Sequence, residues 1–258
     1  MSDKFVPQKN KKSAPRKVEP KEFLFEVLWK FETFLERKVS KTIQPMTKLI
    51  LVRHGQSTGN DLRIITGQGD YPLTELGHTQ ARKASIWLSA KERITKIYSS
   101  DLSRAYQTAV PTAELFSLPI HTDAGLREMD MGALVGLTKA EWAERLPENW
   151  DLWTSDYPHY RAPDGESIPQ LYERSVQTVS RIAAENDGEV LAIFAHMGVM
   201  RSFEAYVRGI SCEKIESVPQ GRNASIAIYT YEGGAFTPIV YDLVEHLEDT
   251  LTGVTFGL

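Results

Sequence analysis

The chain has 258 residues, of which 41% are hydrophobic and 25% are charged, and this composition suits a globular protein with a sizeable core. Its formal net charge of −4 argues against a nucleic-acid partner, and its single cysteine, Cys212, excludes an internal disulfide framework. The sequence has no run of 18 uncharged apolar residues, and its N-terminus lacks the apolar core of a signal peptide, so we expect a cytoplasmic protein.

Residues 1–46 are predicted to form a basic disordered tail followed by an amphipathic helix. The first 21 residues contain seven Lys or Arg and three Pro with few apolar side chains, a composition typical of disorder. Residues 22–41 then place apolar side chains at helical spacing, punctuated by acidic ones. Three interpretations stay open for this helix: packing on the main domain, a homodimer contact, or contact with a membrane surface.

Residues 47–258 alternate strand and helix patterns and are predicted to form one α/β domain. The predicted strands are 48–53, 94–99 and 189–195, with a terminal hairpin of 225–231 and 236–243. The predicted helices are 77–91, 101–116 with an Asp or Ser cap, about 166–186, and 197–207. Strands separated by helices imply a three-layer α/β/α sandwich with a mostly parallel central sheet, which binds ligands at the carboxyl ends of its strands.

Two histidines come directly after predicted buried strands. His54 ends the segment LILVRH, and His196 ends VLAIFAH. Each is followed closely by a glycine, Gly55 or Gly198, which would let the main chain approach a bound anion. Because the strand ends meet at one edge of a parallel sheet, we expect the two imidazoles to lie close together.

Two arginines accompany these histidines. Arg53 adjoins His54, and Arg104 opens the helix after the strand segment IYSS. A guanidinium group binds phosphate through a planar, bidentate fork. The pattern therefore predicts a site for a phosphate-like anion, because a lone surface arginine would not coincide with the strand ends in this way.

The sequence resembles the histidine phosphatase superfamily, also called phosphoglycerate mutase-like. Six segments carry the resemblance in the family's order: LVRHGQSTGN at 51–60, DYPLTELGHTQA at 70–81, YSSDLSRAYQTA at 98–109, LREMDMG at 126–132, APDGES at 162–167 and FAHMGVMR at 194–201. Arg-His-Gly alone is weakly specific, whereas six segments in order are very specific. The resemblance covers nearly all of 47–243, and the 46 residues before it have no counterpart in the family core.

The resemblance implies catalytic roles for five residues. His54 would be the nucleophile that forms a phosphohistidine, and Arg53, Arg104 and His196 would complete a positively charged phosphate pocket. Glu128 matches the family's proton donor, which would protonate the leaving group and then activate water. Neither a metal nor an organic cofactor is implied, and the six histidines of the chain show no close ligand pairing.

Three further residues are predicted to bind the substrate. Asn60 matches the family residue that helps to bind the phosphoryl group, and Ser57 lies in a loop that can line the pocket. Met197 stands where the family usually has glycine, and its main-chain N–H could still reach the phosphate. From the residues alone, the competing interpretation of Glu128 is a surface ion pair with Arg127.

The predicted activity is hydrolysis of phosphomonoesters of small metabolites. Glu128 and His196 are only 68 positions apart, too close for the long insertion that the family's mutases carry, which favours the compact phosphatase branch. Two alternatives stay open: a phosphotransferase of the phosphoglycerate mutase type, and a non-catalytic phosphate-binding or scaffolding module.

A lid subdomain is predicted at about 133–165. Its aromatic side chains could contact a sugar ring or an aromatic leaving group, or could equally form the core of a small helical cap: Trp142, Trp150, Trp153, Tyr157 and Tyr160. Arg161 and His159 could contact a second anionic group of the substrate or be solvated.

Overall fold

A computed structural model describes residues 46–253 of the chain. These residues belong to the second of two compact units, Pro45–Leu258. The predicted basic tail and the amphipathic helix at 22–41 lie outside the described residues, and their three interpretations stay predictions.

The centre of the described domain is a six-stranded sheet. Its strands are β1 Thr47–Arg53, β2 Lys96–Ser99, β3 Ile120–Thr122, β4 Val190–Ala195, β5 Ile226–Glu232 and β6 Ala235–Leu243. Their order is β3-β2-β4-β1-β5-β6, with β3, β2, β4 and β1 parallel and the terminal hairpin antiparallel. The predicted strands and hairpin are confirmed with small shifts at their ends. Strand β3 was not predicted, because three residues are too few to show a periodic pattern.

Helices connect the strands and cover the sheet. They are α1 Thr58–Asp61, α2 Glu75–Lys91, α3 Ser103–Phe116, α4 Lys139–Arg145, α5 Pro147–Ser155, α6 Ile168–Ala184 and α7 Met197–Val207. The predicted cap of α3 was wrong: Leu102 is the N-cap residue, and the carboxylate of Asp70 accepts the N–H of Ser103 at 2.9 Å. No helix within residues 46–253 is both long and apolar enough to cross a bilayer.

Alternating residues of the strands point to opposite faces of the sheet, and helices cover both faces. The domain therefore has the predicted three layers. One cluster joins the sheet to α6 and α7, and includes Leu49, Leu51, Leu191, Ile193, Val179, Ile182, Val199 and Phe203. The cluster on the opposite face joins the sheet to α2 and α3, and includes Ile50, Val52, Ala192, Phe194, Leu88 and Ala109. Strands buried on both faces are apolar throughout, which explains the short continuous runs in the sequence.

The aromatic residues of the predicted lid form the core of a small helical cap. The Trp142 ring is buried, and its centroid lies 5.1 Å from that of Trp150, 5.3 Å from that of Trp153 and 5.8 Å from that of Tyr160. The indole N–H of Trp142 and the hydroxyl of Tyr160 both donate to Asn149 Oδ1 at 2.9 Å. Of the two interpretations of these aromatics, the packing supports the core.

Candidate active site

The pairing of β1 with β4 brings the two predicted histidines together. Arg53 pairs with Ala195 in the parallel register, and the N–H of His54 donates to the carbonyl of Ala195 at 3.0 Å. His54 and His196 therefore leave neighbouring strands at the same level. Their ring centroids are 5.1 Å apart, close enough for both rings to contact one bound oxyanion.

The His54 ring presents an unprotonated nitrogen. Its Nδ1 lies 2.7 Å from the carbonyl oxygen of Gly55, and because a carbonyl only accepts, Nδ1 carries the proton. Nε2 is buried and has no hydrogen-bond partner among the described residues. The neutral tautomer thus leaves the Nε2 lone pair available for attack on phosphorus.

The His196 ring has the complementary arrangement. Its Nε2 lies 2.9 Å from Ser100 Oγ, which itself accepts the N–H of Leu102 at 3.3 Å. Donation by the Ser100 hydroxyl to Nε2 would place the proton of His196 on Nδ1. This Nδ1 is buried without a partner in residues 46–253, so it can donate to a bound phosphoryl oxygen.

Two buried guanidinium groups lie near the histidines. Arg104 donates to the carbonyl oxygens of Gly67 at 2.7 Å and Gly69 at 2.9 Å, and Arg53 donates to that of Gly221 at 2.5 Å. Burial lowers the pKa of each arginine to about 10, so both stay charged at neutral pH. Charges removed from water need compensation, and an anion between them would supply it.

Burial and these charges together keep the histidines neutral. Burial is the largest cause that lowers the pKa of His54 and His196 well below the ordinary value, and the positive charges of Arg104 and Arg53 lower it further. A neutral His54 is the form that can act as a nucleophile.

Asn60 is oriented by a network that sequence patterns did not indicate. Its amide oxygen accepts the N–H and hydroxyl of Ser57, each at 3.1 Å, and Nδ2 of Asn223 at 3.2 Å. The Nδ2 group of Asn60 is buried and has no partner among the described residues. This group is therefore able to donate to an oxygen atom of a bound anion.

The side chains of Ser57 and Met197 make contacts within the protein in addition to any lining of the pocket. The Ser57 side chain forms a capping box with Asn60 at the start of α1, so it orients the amide. The Met197 side chain is buried in an apolar cluster with Met129 and Trp142, next to the cap. The predicted contact of residue 197 with phosphate would therefore come from its main-chain N–H.

Glu128 is fully buried beside the start of α7. Its Oε1 accepts the N–H groups of Met129 at 2.9 Å and Gly198 at 3.1 Å. Burial raises its pKa, although these N–H groups and the charges of Arg104 and Arg53 act in the opposite direction. A carboxyl group that holds its proton more tightly than usual is suited to act as a general acid.

The alternative interpretation of Glu128 as a surface partner of Arg127 was wrong. Arg127 pairs with Asp101, with its Nε 2.7 Å from Asp101 Oδ1, while Glu128 points into the interior.

The two glycines near the histidines have a packing role in addition to the predicted one. A Cβ at Gly198 would lie 2.3 Å from Glu128 Oε1, and a Cβ at Gly55 would lie 2.6 Å from the carbonyl oxygen of Gly77. These glycines make room for the Glu128 carboxyl and for close packing of the loop after β1 on α2. The prediction that they admit the phosphate stays untested.

Further residues hold the loop after β1. Asn223 donates to the carbonyl of His54 at 3.2 Å, Thr108 Oγ1 accepts the N–H of Gly55 at 3.0 Å, and Gln80 Oε1 accepts the N–H of Gln56 at 2.8 Å. Sequence reasoning missed them because their partners lie far away in the chain. Ser100, the partner of His196 Nε2, could have been found from the sequence, since it follows β2 as the two histidines follow β1 and β4.

The polar residues of the cap lie outside this network. His159 is exposed and its Nδ1 lies 2.7 Å from Asp156, and Arg161 is exposed and donates to the carbonyl of Gly165 at 3.0 Å. The solvated interpretation of both side chains is therefore favoured over a contact with a second substrate anion. Within residues 46–253, no group of three or more His, Cys, Asp or Glu side chains is placed to hold a metal ion.

Sequence comparisons identify a family and relatives. A family model described as "Histidine phosphatase superfamily (branch 1)" matches residues 49–242. Phosphoglycerate mutase-like protein 4 of Arabidopsis thaliana is 34% identical over 206 residues, covering 79% of this chain and 88% of that protein. The metal-independent phosphoserine phosphatase of the same plant is 36% identical over 164 residues, covering 63% of this chain and 69% of that protein.

Solved structures share the fold. YhfR of Bacillus stearothermophilus superposes with a TM-score of 0.73 and 31% identity, covering 78% of this chain and 99% of that chain. The mycobacterial glucosyl-3-phosphoglycerate phosphatase superposes with a TM-score of 0.70 and 29% identity, covering 77% of this chain and 100% of that chain.

Proposed function

This chain belongs to branch 1 of the histidine phosphatase superfamily, and we propose that His54 is the nucleophile with which it hydrolyses phosphomonoesters of small metabolites. The enzyme is a metal-independent phosphatase of the histidine phosphatase type. The observation that carries the assignment of His54 is the 5.1 Å separation of its ring from that of His196, together with three buried nitrogen atoms that have no hydrogen-bond partner among residues 46–253: His196 Nδ1, Asn60 Nδ2 and Arg104 Nε. A phosphoryl group offers the oxygen atoms that such donors need.

The first half of the reaction transfers the phosphoryl group to the enzyme. The lone pair of His54 Nε2 attacks phosphorus, a P–N bond forms, and the P–O bond to the leaving group breaks. Arg53, Arg104 and His196 stabilise the charge on the equatorial phosphoryl oxygens, which preorganised donors do without reorganisation. Glu128 gives its proton to the departing alkoxide.

The second half returns the enzyme to its starting state. The Glu128 carboxylate takes a proton from water, the water oxygen attacks phosphorus, and the P–N bond breaks. Phosphate leaves, His54 is neutral again, and Glu128 is again protonated. One carboxyl group thus serves both steps.

Phosphorylated hydroxy acids are the first substrates to test. Relatives of this chain are named as phosphoserine phosphatases and as a glucosyl-3-phosphoglycerate phosphatase, and these substrates combine a phosphate ester with a carboxylate. A panel that pairs each acid with its uncharged analogue would measure what the carboxylate contributes to kcat/KM.

The nucleophile is tested by trapping the intermediate. Hydrolysis of p-nitrophenyl phosphate should continue in EDTA and be abolished in His54→Ala, and acid-labile, base-stable label from substrate should map to His54. Label on another residue would refute the assignment. No turnover across the whole panel would instead favour the phosphate-binding module.

The cytoplasmic location and the homodimer contact are also proposals. Their support is the single cysteine of the chain and the amphipathic pattern of residues 22–41. Fractionation of cells and sedimentation of the full chain would test them.

A further inference from the structure

The guanidinium group of Arg174 on α6 holds the main chain around Glu128. Its Nη1 donates to the carbonyl oxygens of Gly125 and Arg127, both at 2.9 Å, and its Nη2 donates to that of Glu128 at 3.3 Å. Three carbonyls of one short segment are therefore bound by one side chain.

Glu166 fixes this guanidinium and reaches the other end of the same segment. Arg174 Nε and Nη2 donate to the two carboxylate oxygens of Glu166 at 2.8 and 2.7 Å. Glu166 Oε2 also accepts the N–H of Asp130 at 3.2 Å, and the Glu166 N–H donates to the carbonyl of Asp130 at 2.9 Å. These bonds engage all five N–H donors of Arg174, so a lysine ammonium cannot reproduce them.

The pair contacts the main chain of Glu128 and not its carboxyl group. The carboxyl accepts the N–H of Gly198, whereas Arg174 donates to the carbonyl oxygen of the same residue. Arg174 and Glu166 themselves line an open cleft of about 600 Å³. Water can therefore replace a truncated side chain here without collapse of the core.

We propose that the ion pair of Arg174 and Glu166 is a positioning device for the general acid Glu128, which it serves by fixing the main chain of 125–130. The inference rests on the proposed function, since it assumes that Glu128 protonates the leaving group. A displacement of about 1 Å of a catalytic group can cost about 10²-fold in rate, so loss of the pair should weaken the acid step selectively.

The test compares leaving groups. The ratio kcat/KM reports the steps up to departure of the leaving group, and p-nitrophenolate departs readily without a proton whereas an alkoxide needs one. Arg174→Met should lower kcat/KM about 10–100-fold for an alkyl phosphate and less than about 3-fold for p-nitrophenyl phosphate. Arg174→Lys and Glu166→Gln, which disturb folding less, should show the same selectivity with smaller losses.

Arg181→Met is the matched control. Arg181 lies on the same helix and forms ion pairs with Asp123 and Glu185, but it is not hydrogen-bonded to the carbonyls of 125–130. The kcat/KM of the Arg181→Met variant should stay within about 3-fold of the value for the unsubstituted enzyme with both substrates, as expected when an exposed ion pair is lost.

A double substitution separates positioning from general destabilisation. In a Glu128→Gln background, Arg174→Met should cause no further loss for the alkyl phosphate, because the acid it positions is already gone. Equal losses for both substrates, or losses that multiply in the double variant, would overturn the inference while leaving the proposed function intact. If Glu128→Gln itself lost both activities equally, the acid role and the inference would fail together, and labelling of His54 would still test the nucleophile.

Discussion

The carboxyl group of Glu128 lies against the helix that follows His196, at a glycine whose missing Cβ leaves room for it. The N–H of Gly198 donates to Glu128 Oε1, and a Cβ at residue 198 would approach this oxygen to 2.3 Å. One residue therefore supplies a hydrogen bond to the acid and the space in which the acid lies. The same proximity allows the N-terminal end of α7, with its partial positive charge, to interact with the carboxyl.

Substitution of Gly198 by alanine should displace the general acid without unfolding the protein. The nearest atom to the new methyl is the end of a flexible side chain, so the carboxyl can move aside. We expect kcat/KM for an alkyl phosphate to fall about 10²-fold or more, and p-nitrophenyl phosphate to be affected much less. Thermal unfolding would show that the fold is kept. Gly253→Ala, whose Cβ would meet nothing within 4 Å, is the control, and an unchanged alkyl phosphatase activity would contradict the placement of Glu128.

Two kinds of element carry the site. Parallel strands β1 and β4 set the register that places His54 and His196 side by side, and a cap of short helices is packed beside them around Trp142. The cap cluster also contains Met197 and Met129, which adjoin His196 and Glu128 in the chain. Packing of the cap is therefore continuous with the main-chain segments that hold His196 and Glu128.

Truncation of Trp142 should destabilise the cap. Its ring is 1% exposed and touches three other aromatic rings, so Trp142→Ala should lower the free energy of unfolding by about 3–5 kcal/mol. Chemical denaturation would measure this against Leu152→Ala, an exposed position of the same cap, which should change stability by about 0.5 kcal/mol or less. A Trp142→Ala protein of normal stability but raised KM would instead indicate that the ring contacts substrate.

At the scale of the whole molecule, folding moves the pKa values of the proposed nucleophile, His54, and the proposed acid, Glu128, away from their ordinary values. Burial and two arginines lower the pKa of His54, while burial raises the pKa of Glu128. The active form needs His54 unprotonated and Glu128 protonated. Activity should therefore rise with pH through the lowered pKa of His54 and fall with pH through the raised pKa of Glu128.

The pH profile of kcat/KM tests this assignment. For an alkyl phosphate we expect an alkaline decline at a pH above the ordinary pKa of a glutamic acid, and this decline should be absent in Glu128→Gln. The phosphate of the substrate also ionises, with a second pKa of about 6. This ionisation affects the profiles of both enzymes equally and does not remove the difference between them. An alkaline limb that is identical in the two proteins would show that Glu128 is not the acid.

Much of the fold and the convergence of the two histidines could be predicted because these features depend on local patterns. Apolar runs specify strands that are buried on both faces, and His54 and His196 come directly after such runs. The structure brings these two side chains together as expected, with Arg53, Arg104 and Glu128 in electrostatic reach of one another. The order of motifs along the chain was sufficient to indicate the family.

Tertiary structure alone decided how the site is held. Asn223 orients Asn60 across 163 positions, and Arg174 binds the carbonyl of Glu128 across 46 positions. No local pattern encodes such contacts, because the sequence separation between the partners is set by the path of the whole chain. The Met197 side chain likewise packs with the cap because the tertiary fold brings the cap beside α7. The sequence by itself therefore determined the family, the order of the elements and the groups proposed to perform the chemistry, and the packing of distant segments determined their orientation and support.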